Sequence, residues 1–516
     1  MNLDLSALPT DPGALQALVY EQARLLEAKD IELHSKTLRI EQLTAQIARL
    51  RRMQFGRSSE KLDREIEQLE LLLEEVHEDD GARNAQRTPE PCAMAAKPSR
   101  LPLPDHLPRE EVTHAAACAC PKCGGELRRL GEDTTEVLEY VPASFKVIRH
   151  MRPKFSCRKC EAITQAPMPS LPIVRGRPGP GLLAHVLVAK YADHLPLYRQ
   201  SEIYAREGVE MERSTLADWV GGSVALLRPL VAALASDVMA SDVLHGDDTP
   251  VPVLDPGRGK TKTGRLWAYV RDERPHGGSR PPAAVYFYSP DRKGEHPAAH
   301  LKNFKGVLHA DGYAGFGAIF EKGAIAEAAC WAHVRRKFFD VHAANGSPMA
   351  KEALDRIGAL YGIEAQARGR PPDERRRLRQ QKSKPLLDDL HAWFAATKPK
   401  LSPKSDLAAA IRYALGRWMA LGRYIDDGRL QIDNNAAERA IRPLALGRKN
   451  YLFAGSNSGG ERAAAIYSLI ETAKLGDLDP EAYLRDVLAR IADHPINKIG
   501  ELLPWNWARI ETAKPA

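Results

Sequence analysis

Apolar residues recur every seven positions in the first part of the chain: Val19, Leu26, Leu33, Ile40 and Ile47, with Leu43 and Leu50 at the second apolar position of the heptad. The pattern breaks at Phe55-Gly56-Arg57-Ser58-Ser59 and resumes as Leu62, Ile66, Leu69, Leu73 and Val76. A narrow apolar seam on a charged helix cannot bury itself, so residues 1–76 read as a leucine-zipper-like coiled coil. It forms either between protomers or as a hairpin folded back at Gly56. Residues 77–112 are polar and proline-rich without apolar period, and read as a linker. Residues 176–236 take the helical period. Within them Leu195–Val220 has the rhythm of a helix-turn-helix or of a plain helical hairpin, with Ser214 and Thr215 as candidate N-caps.

From residue 242 the period shortens to that of strands: VLHGDDTPVPVL, RLWAYVRD and AAVYFYSP, then a helix-like GEHPAAHLKNF, then GVLHADGYAGF. Three strands, a helix and a further strand open a ribonuclease H-like fold. The expected class is therefore multidomain α+β. The catalytic core is placed at 237–457, with a helical insertion at about 341–430 that carries a basic hinge at 367–384. A helical C-terminal region fills 458–516. No run of eighteen apolar residues occurs, so no membrane span is expected, and the N-terminus lacks the pattern of a secretory signal.

Charge and cysteine usage sharpen this picture. The 516 residues carry a formal charge of +7. That is a mild excess; what matters is its clustering at Ala367–Lys384 and Arg439–Lys449. Of seven cysteines, four form two CxxC pairs, Cys120/Cys123 and Cys157/Cys160, with 33 residues between them. Each pair places two thiolates within reach of one tetrahedral ion, and Gly124-Gly125 permits the tight turn. Residues 113–165 thus read as a zinc-ribbon DNA-binding domain, with Cys118 a nearby competitor for one ligand position.

Three acids stand at the ends of elements. Asp247, next to Asp248, lies in the first strand of the core, and Asp311 ends the fourth. Glu438 follows Asp433 and Asn434, either of which is suited to cap the helix that carries it. Carboxylates converging from separate elements suit magnesium or manganese, and two such ions promote in-line displacement at phosphorus. Neighbouring strand residues face opposite ways, so parity leaves Asp247 and Asp248 both open.

The chain resembles the transposases of the insertion sequence 66 family. The resemblance rests on FGRSSEKL, CPKCGG, GDDTPVPVLDPGRGKTKTGRLWAYVRD, HADGYAGF, CWAHVRRKF, IDNNAAERAIRPLALGRKNYLFAGSNSGGERAA and SLIETAKLGDLDPEAYLRDVL, in that order. It implies a DNA transposase that binds terminal inverted repeats and catalyses metal-dependent strand cleavage and transfer. A DDE triad falls on Asp247, Asp311 and Glu438 as catalytic residues and magnesium or manganese ligands, with Cys120, Cys123, Cys157 and Cys160 as structural zinc ligands. The family commonly has Asp-Glu where this chain has Asp247-Asp248; Asp247 is taken by the family register. Transposon ends and target DNA are the expected partners, with a homodimer or higher oligomer, accessory proteins of the element, and a cytoplasmic, nucleoid-associated location in a bacterium.

Arg335, Arg336, Lys337, Arg439, Arg442, Arg448 and Lys449 are candidate DNA-phosphate contacts. Cys330-Trp-Ala-His333 resembles a CxxH signature that follows the second Asp in several transposase families. It reads either as DNA contact or structural support in the insertion, or as a buried Cys with a capped His. Tyr451 and Phe453 read as core. The competing functions are a metal-dependent nuclease that cuts without joining and a catalytically inactive zinc-containing DNA-binding regulator.

Overall fold

Residues 243–289 form three β-strands because β-branched and aromatic side chains are concentrated there. The computed structural model describes residues 11, 145–149, 154–156, 163–165, 170–173, 178–255, 260–450 and 454–507. Every described residue from 154 onward belongs to one compact unit. A short antiparallel hairpin, β1 (Lys154–Ser156) and β2 (Ile163–Gln165), flanks the second CxxC pair in sequence. The four expected zinc ligands, the heptad region and the linker lie outside the described residues, as do Tyr451 and Phe453.

Three helices follow: α1 (Pro180–Tyr191), α2 (Leu197–Arg206) and α3 (Arg213–Met239). Gly208, at φ +82°, makes the turn between the last two. The second helix begins at Arg213, so Ser214 and Thr215 sit inside its first turn rather than at its cap. Ser214 instead donates to the Glu212 carboxylate at 3.2 Å. Helix α3 is long and apolar enough on average to cross a membrane. Its buried stripe is that of a helix packed within a fold: Leu216, Val220, Leu227, Leu230, Leu234 and Val238 recur at helical spacing.

The sheet comprises β3 (Val243–Asp255), β4 (Lys260–Arg271), β5 (Ala283–Ser289), β6 (Gly306–Ala310) and β7 (Ile325–Ala329), in the order β5-β4-β3-β6-β7. Strands β3–β4–β5 are antiparallel, while β3–β6 and β6–β7 are parallel. Two short helices, α4 (Glu295–His300) and α5 (Gly317–Glu321), stand in the crossovers. Edge strand β5 is covered by the last long helix of this region, described below, which avoids an open row of backbone donors and acceptors.

After β7 the chain becomes helical: α6 (Trp331–Asn345), α7 (Pro348–Ala367), α8 (Pro372–Leu378), α9 (Lys384–Thr397), α10 (Asp406–Gly416) and α11 (Trp418–Asp426). Their core holds Trp331, Ile357, Leu360, Phe394, Ile411 and Tyr424. Phe338 stacks on Phe394 at 5.3 Å between centroids, and Trp331 meets Trp418 edge-on at 5.7 Å. The basic stretch at 367–384 exposes Arg368, Arg370, Arg376, Arg377, Lys382 and Lys384. It runs as α8, a π-helical turn (Arg379–Ser383) and α9, and Arg375 and Arg379 are fully buried within it. Arg379 donates to the carbonyls of Tyr424, Asp427 and Leu430 and pairs with Glu364 at 2.7 Å. It thereby satisfies carbonyls at the end of α11 that no helix turn follows.

Helices α12 (Asn435–Asn450), α13 (Asn457–Leu475) and α14 (Pro480–Arg490) complete the unit. On α13, Thr472 Oγ1 accepts from the Ala284 N–H and donates to the Ala284 carbonyl, while Ser468 Oγ accepts from Tyr286 N–H. These two hydroxyls cap the outer edge of β5.

Candidate active site

The site begins with strand register. His245 on β3 pairs with His309 on β6, and their rings stack at 4.3 Å with planes 8° apart. Side chains two residues apart on a strand share a face. Asp247 and Asp311 each lie two residues past a stacked histidine, so the parallel pairing brings both acids to the C-terminal end of the β3–β6 ladder. Asp248 points the other way. Its carboxylate, 2% exposed, is held by Arg265 at 3.0 Å and Arg292 at 2.8 Å. Arg265 comes from β4 and Arg292 from the turn after β5, and sequence reading singled out neither.

Gly312 fixes the chain just past Asp311. Its φ is +87°, and an added Cβ would lie 2.5 Å from the Arg417 guanidinium, which donates to the Gly312 carbonyl at 2.8 Å. Arg417 also pairs with Glu327 on β7. Asp311 itself accepts from Tyr313 N–H at 3.0 Å, and Tyr413 donates to the Asp311 carbonyl at 3.0 Å.

The third acid arrives on α12. Asn434, immediately before that helix and fully buried, does not spend its side chain on capping. Its Nδ2 donates to the Gly246 carbonyl at 2.9 Å, its Oδ1 meets His245 Nδ1 at 3.1 Å, and its backbone N–H donates to Cys330 Sγ at 3.2 Å. Asp433 accepts from Asn435 N–H at 3.2 Å. One asparagine therefore ties β3, the start of α6 and the start of α12 together, and Glu438 follows one helical turn later. Sequence analysis saw Asn434 only as a cap. Its bridging role depends on strands far away in sequence and left no local signal.

Electrostatics mark Asp247. Burial pushes its carboxyl well above the usual range, and the negative charges of Asp311 and Glu438 push it further. Every charged neighbour that shifts it is an acid. Three oxygen donors from separate elements are of the chemical type a hard divalent cation takes, but their ligand atoms do not all lie within 4.8 Å of one another as those of Cys330, His333 and Glu438 do, so the three acids are coupled by charge and not drawn to one point. Glu438 also lies 3.7 Å from His333 Nδ1 on α6. Burial raises the Cys330 thiol, as do the charges of Glu438 and Asp433.

The seven candidate DNA contacts are dispersed around these helices. Lys337 is exposed and lies over the Tyr413 ring at 4.5 Å; Arg336 pairs with Asp340 at 2.9 Å. Arg439 and Arg442 are exposed on α12, whereas the side chains of Arg448 and Lys449 lie outside the described residues. Arg439 also lines a cavity of about 310 Å³ beside the site, with His245, Tyr361, Arg375 and Asp433. In the glycine-rich GSNSGGER segment, Ser456 caps α13 by accepting from Gly459 N–H at 3.1 Å.

A model of the family described as "Transposase IS66 family" matches residues 175–462, spanning the sheet, all three acids and the helices between them. The chain belongs to the IS66 transposase family. The rest of this transposase matches as well. Residues 117–161, which contain both CxxC pairs, match the zinc-finger binding domain of IS66 transposases. Residues 42–112 match the leucine-zipper region described as "Transposase C of IS166 homeodomain", across the boundary that the heptads set at residue 76. Residues 468–505 match the IS66 C-terminal element. The transposase is 45% identical over 495 residues to the uncharacterized protein y4hP of Sinorhizobium fredii, covering 91% of this chain and 89% of the relative. It is 38% identical to y4qI of the same organism, covering 98% and 99%, and 40% identical to y4jD, covering 80% and 83%.

Proposed function

We propose that this transposase cuts and joins DNA on a ribonuclease H-like core, with Asp247, Asp311 and Glu438 as ligands of magnesium or manganese. The observation that carries the reading is the shared electrostatics of these three acids, which come from three separate elements, while the adjacent Asp248 is neutralised by two arginines. When bound there, divalent ions supply Lewis-acid stabilisation of the charge that builds on phosphate oxygens.

The reaction is two in-line displacements at phosphorus. Water oxygen attacks a phosphodiester at the transposon end, and the 3′ oxygen leaves with a proton. That 3′ hydroxyl then attacks a target phosphodiester, loses its proton, and displaces the target's own 3′ oxygen. The protein's part is positioning. Stacked His245 and His309 lock the register of β3 on β6. Asn434 fixes where α12 starts, and Arg265 and Arg292 keep Asp248 out of the cluster. Arg335, Arg336, Lys337, Arg439, Arg442, Arg448 and Lys449 supply cations for the DNA backbone. The zinc ribbon, on Cys120, Cys123, Cys157 and Cys160, and the helix pair α2–α3 recognise terminal repeats. The heptads bring two protomers, and so two ends, together.

A strand-transfer assay with precut donor ends tests the assignment and separates joining from simple cutting. Asp311→Asn abolishes both steps while end binding persists. Retained strand transfer in that variant removes the carboxylates from the mechanism, and cutting without joining by the unmodified chain identifies a nuclease instead.

A further inference from the structure

We propose that Cys330, His333 and Glu438 form a second metal site, one that takes a soft divalent ion of the zinc class. The sharing of Glu438 with the hard-ion cluster rests on the function proposed above; the existence of the site does not.

The thiol sulfur, one imidazole nitrogen and one carboxylate oxygen of these residues all lie within 4.8 Å of one another. Ligand atoms around one tetrahedral zinc sit about 3.3–3.6 Å apart, given bond lengths of about 2.0–2.3 Å. The His333 to Glu438 separation of 3.7 Å is already close to that edge. Cys330 stands immediately before α6 and His333 in its first turn, so the three-residue spacing puts both on one side of the helix. Glu438 faces them from α12.

The donor set sets the class of ion. Sulfur and imidazole select zinc-like ions over magnesium, which prefers oxygen alone. Cys330 is buried, and its sulfur accepts the Asn434 N–H at 3.2 Å, the kind of supporting contact that orients and stabilises a ligating thiolate. The segment that donates to the sulfur also leads, one turn on, to the carboxylate. Three protein ligands leave a fourth tetrahedral position open for a solvent or phosphate oxygen. An ion held here draws Glu438 toward α6 and away from Asp247 and Asp311. Zinc at this site therefore opposes the hard-ion reaction rather than serving it.

The test is a zinc count on the full chain, reloaded with zinc and freed of excess, for the unmodified protein, Cys330→Ser, His333→Gln and the ribbon variant Cys120→Ser/Cys123→Ser. Cys330→Ser and His333→Gln each hold one zinc per chain fewer than the unmodified protein. In a ribbon variant that also carries Cys118→Ser, Cys157→Ser and Cys160→Ser, loaded with cobalt, a thiolate-to-cobalt absorption band remains, and adding Cys330→Ser removes it. A zinc count unchanged in both single variants overturns the site. His333→Gln, at a partly exposed side chain, carries the test if Cys330→Ser does not fold. Zinc inhibition of strand transfer, relieved by excess magnesium, weakens in Cys330→Ser by more than the ~10–100-fold that loss of a supporting contact gives; undiminished inhibition also counts against the site. Asp247→Asn keeps the full zinc count while losing strand transfer. If it instead stays active, the catalytic reading fails and the zinc site stands.

Discussion

Two adjacent aspartates have opposite physical fates. Asp248 is compensated by two guanidinium groups, and Asp247 is surrounded by acids. Removing Asp248 strands two half-buried cations, so Asp248→Ala lowers unfolding free energy by on the order of 2 kcal/mol, discounted for the partial exposure of both arginines. Removing the charge of Asp247 has the reverse sign. Its carboxyl is raised in the fold, so its contribution to stability is present at low pH and lost as pH rises. In chelator at neutral pH, Asp247→Asn therefore melts higher than the unmodified chain. Denaturant melts of the two variants side by side check both signs.

The stacked histidines give a second dependence at this scale. Burial lowers His245 to about 4 and pushes His309 well below its ordinary value. Both stay neutral in the fold while the unfolded chain protonates near pH 6.5. Their stabilising contribution is full above pH 6.5 and falls as pH drops toward 4, at about 1.4 kcal/mol per pH unit for each histidine. Urea midpoints across that window fall with acid, and His309→Asn flattens the slope by one proton's worth. An unchanged slope would mean that His309 is already protonated in the fold.

At the scale of elements, the site is the meeting of β3, β6 and α12, and its alignment depends on one side chain. Asn434→Ala loses two buried hydrogen bonds and leaves the Gly246 carbonyl and His245 Nδ1 without that partner. The cost is about 2–3 kcal/mol, and strand transfer falls because α12 no longer starts at a fixed point beside β3. Equal activity with lowered stability would confine Asn434 to the fold. The strands and the order in which they occur were legible in short β-rich runs, and Asp311 does follow the end of β6, but Asp247 lies inside β3, which runs on to Asp255. The start of α3 was not legible, because Ser214 and Thr215 are good caps by type, yet packing began the helix at Arg213. Nor was the fate of the basic stretch at 367–384. Composition reads there as a basic hinge, and most of its cations are exposed, but Arg375 and Arg379 are buried inside the insertion, where they donate to the Leu430 carbonyl and Arg379 pairs with Glu364.

At the scale of the molecule, a transposase of this family implies DNA as partner, and the exposed Lys337, Arg439 and Arg442 are cations such a partner would meet. Binding to transposon ends weakens steeply with salt, because neutralised phosphates release counterions: the log–log slope is about −0.9 for each phosphate contacted. Charge-removing variants at Arg439 and Arg442 each reduce that slope by roughly one. A flat salt response in a titration of labelled end DNA would contradict the basic surface.

The sequence by itself determined the family, through long motifs in fixed order, and the kinds of element, because hydrophobic period is a local property that no distant contact needs to supply. It also supplied the chemistry available: carboxylates in or just after strands, paired cysteines, and a Cys and His at helical spacing. The tertiary structure alone decided which chemistry meets. The register of β3 on β6 aligned Asp247 with Asp311, two arginines took Asp248 away, and the helix that starts after Asn434 carries Glu438 to within 3.7 Å of His333 and into the electrostatic field of Asp247. Those choices depend on residues far apart in the chain, and only the packing of sheet against helix fixes their separation in space.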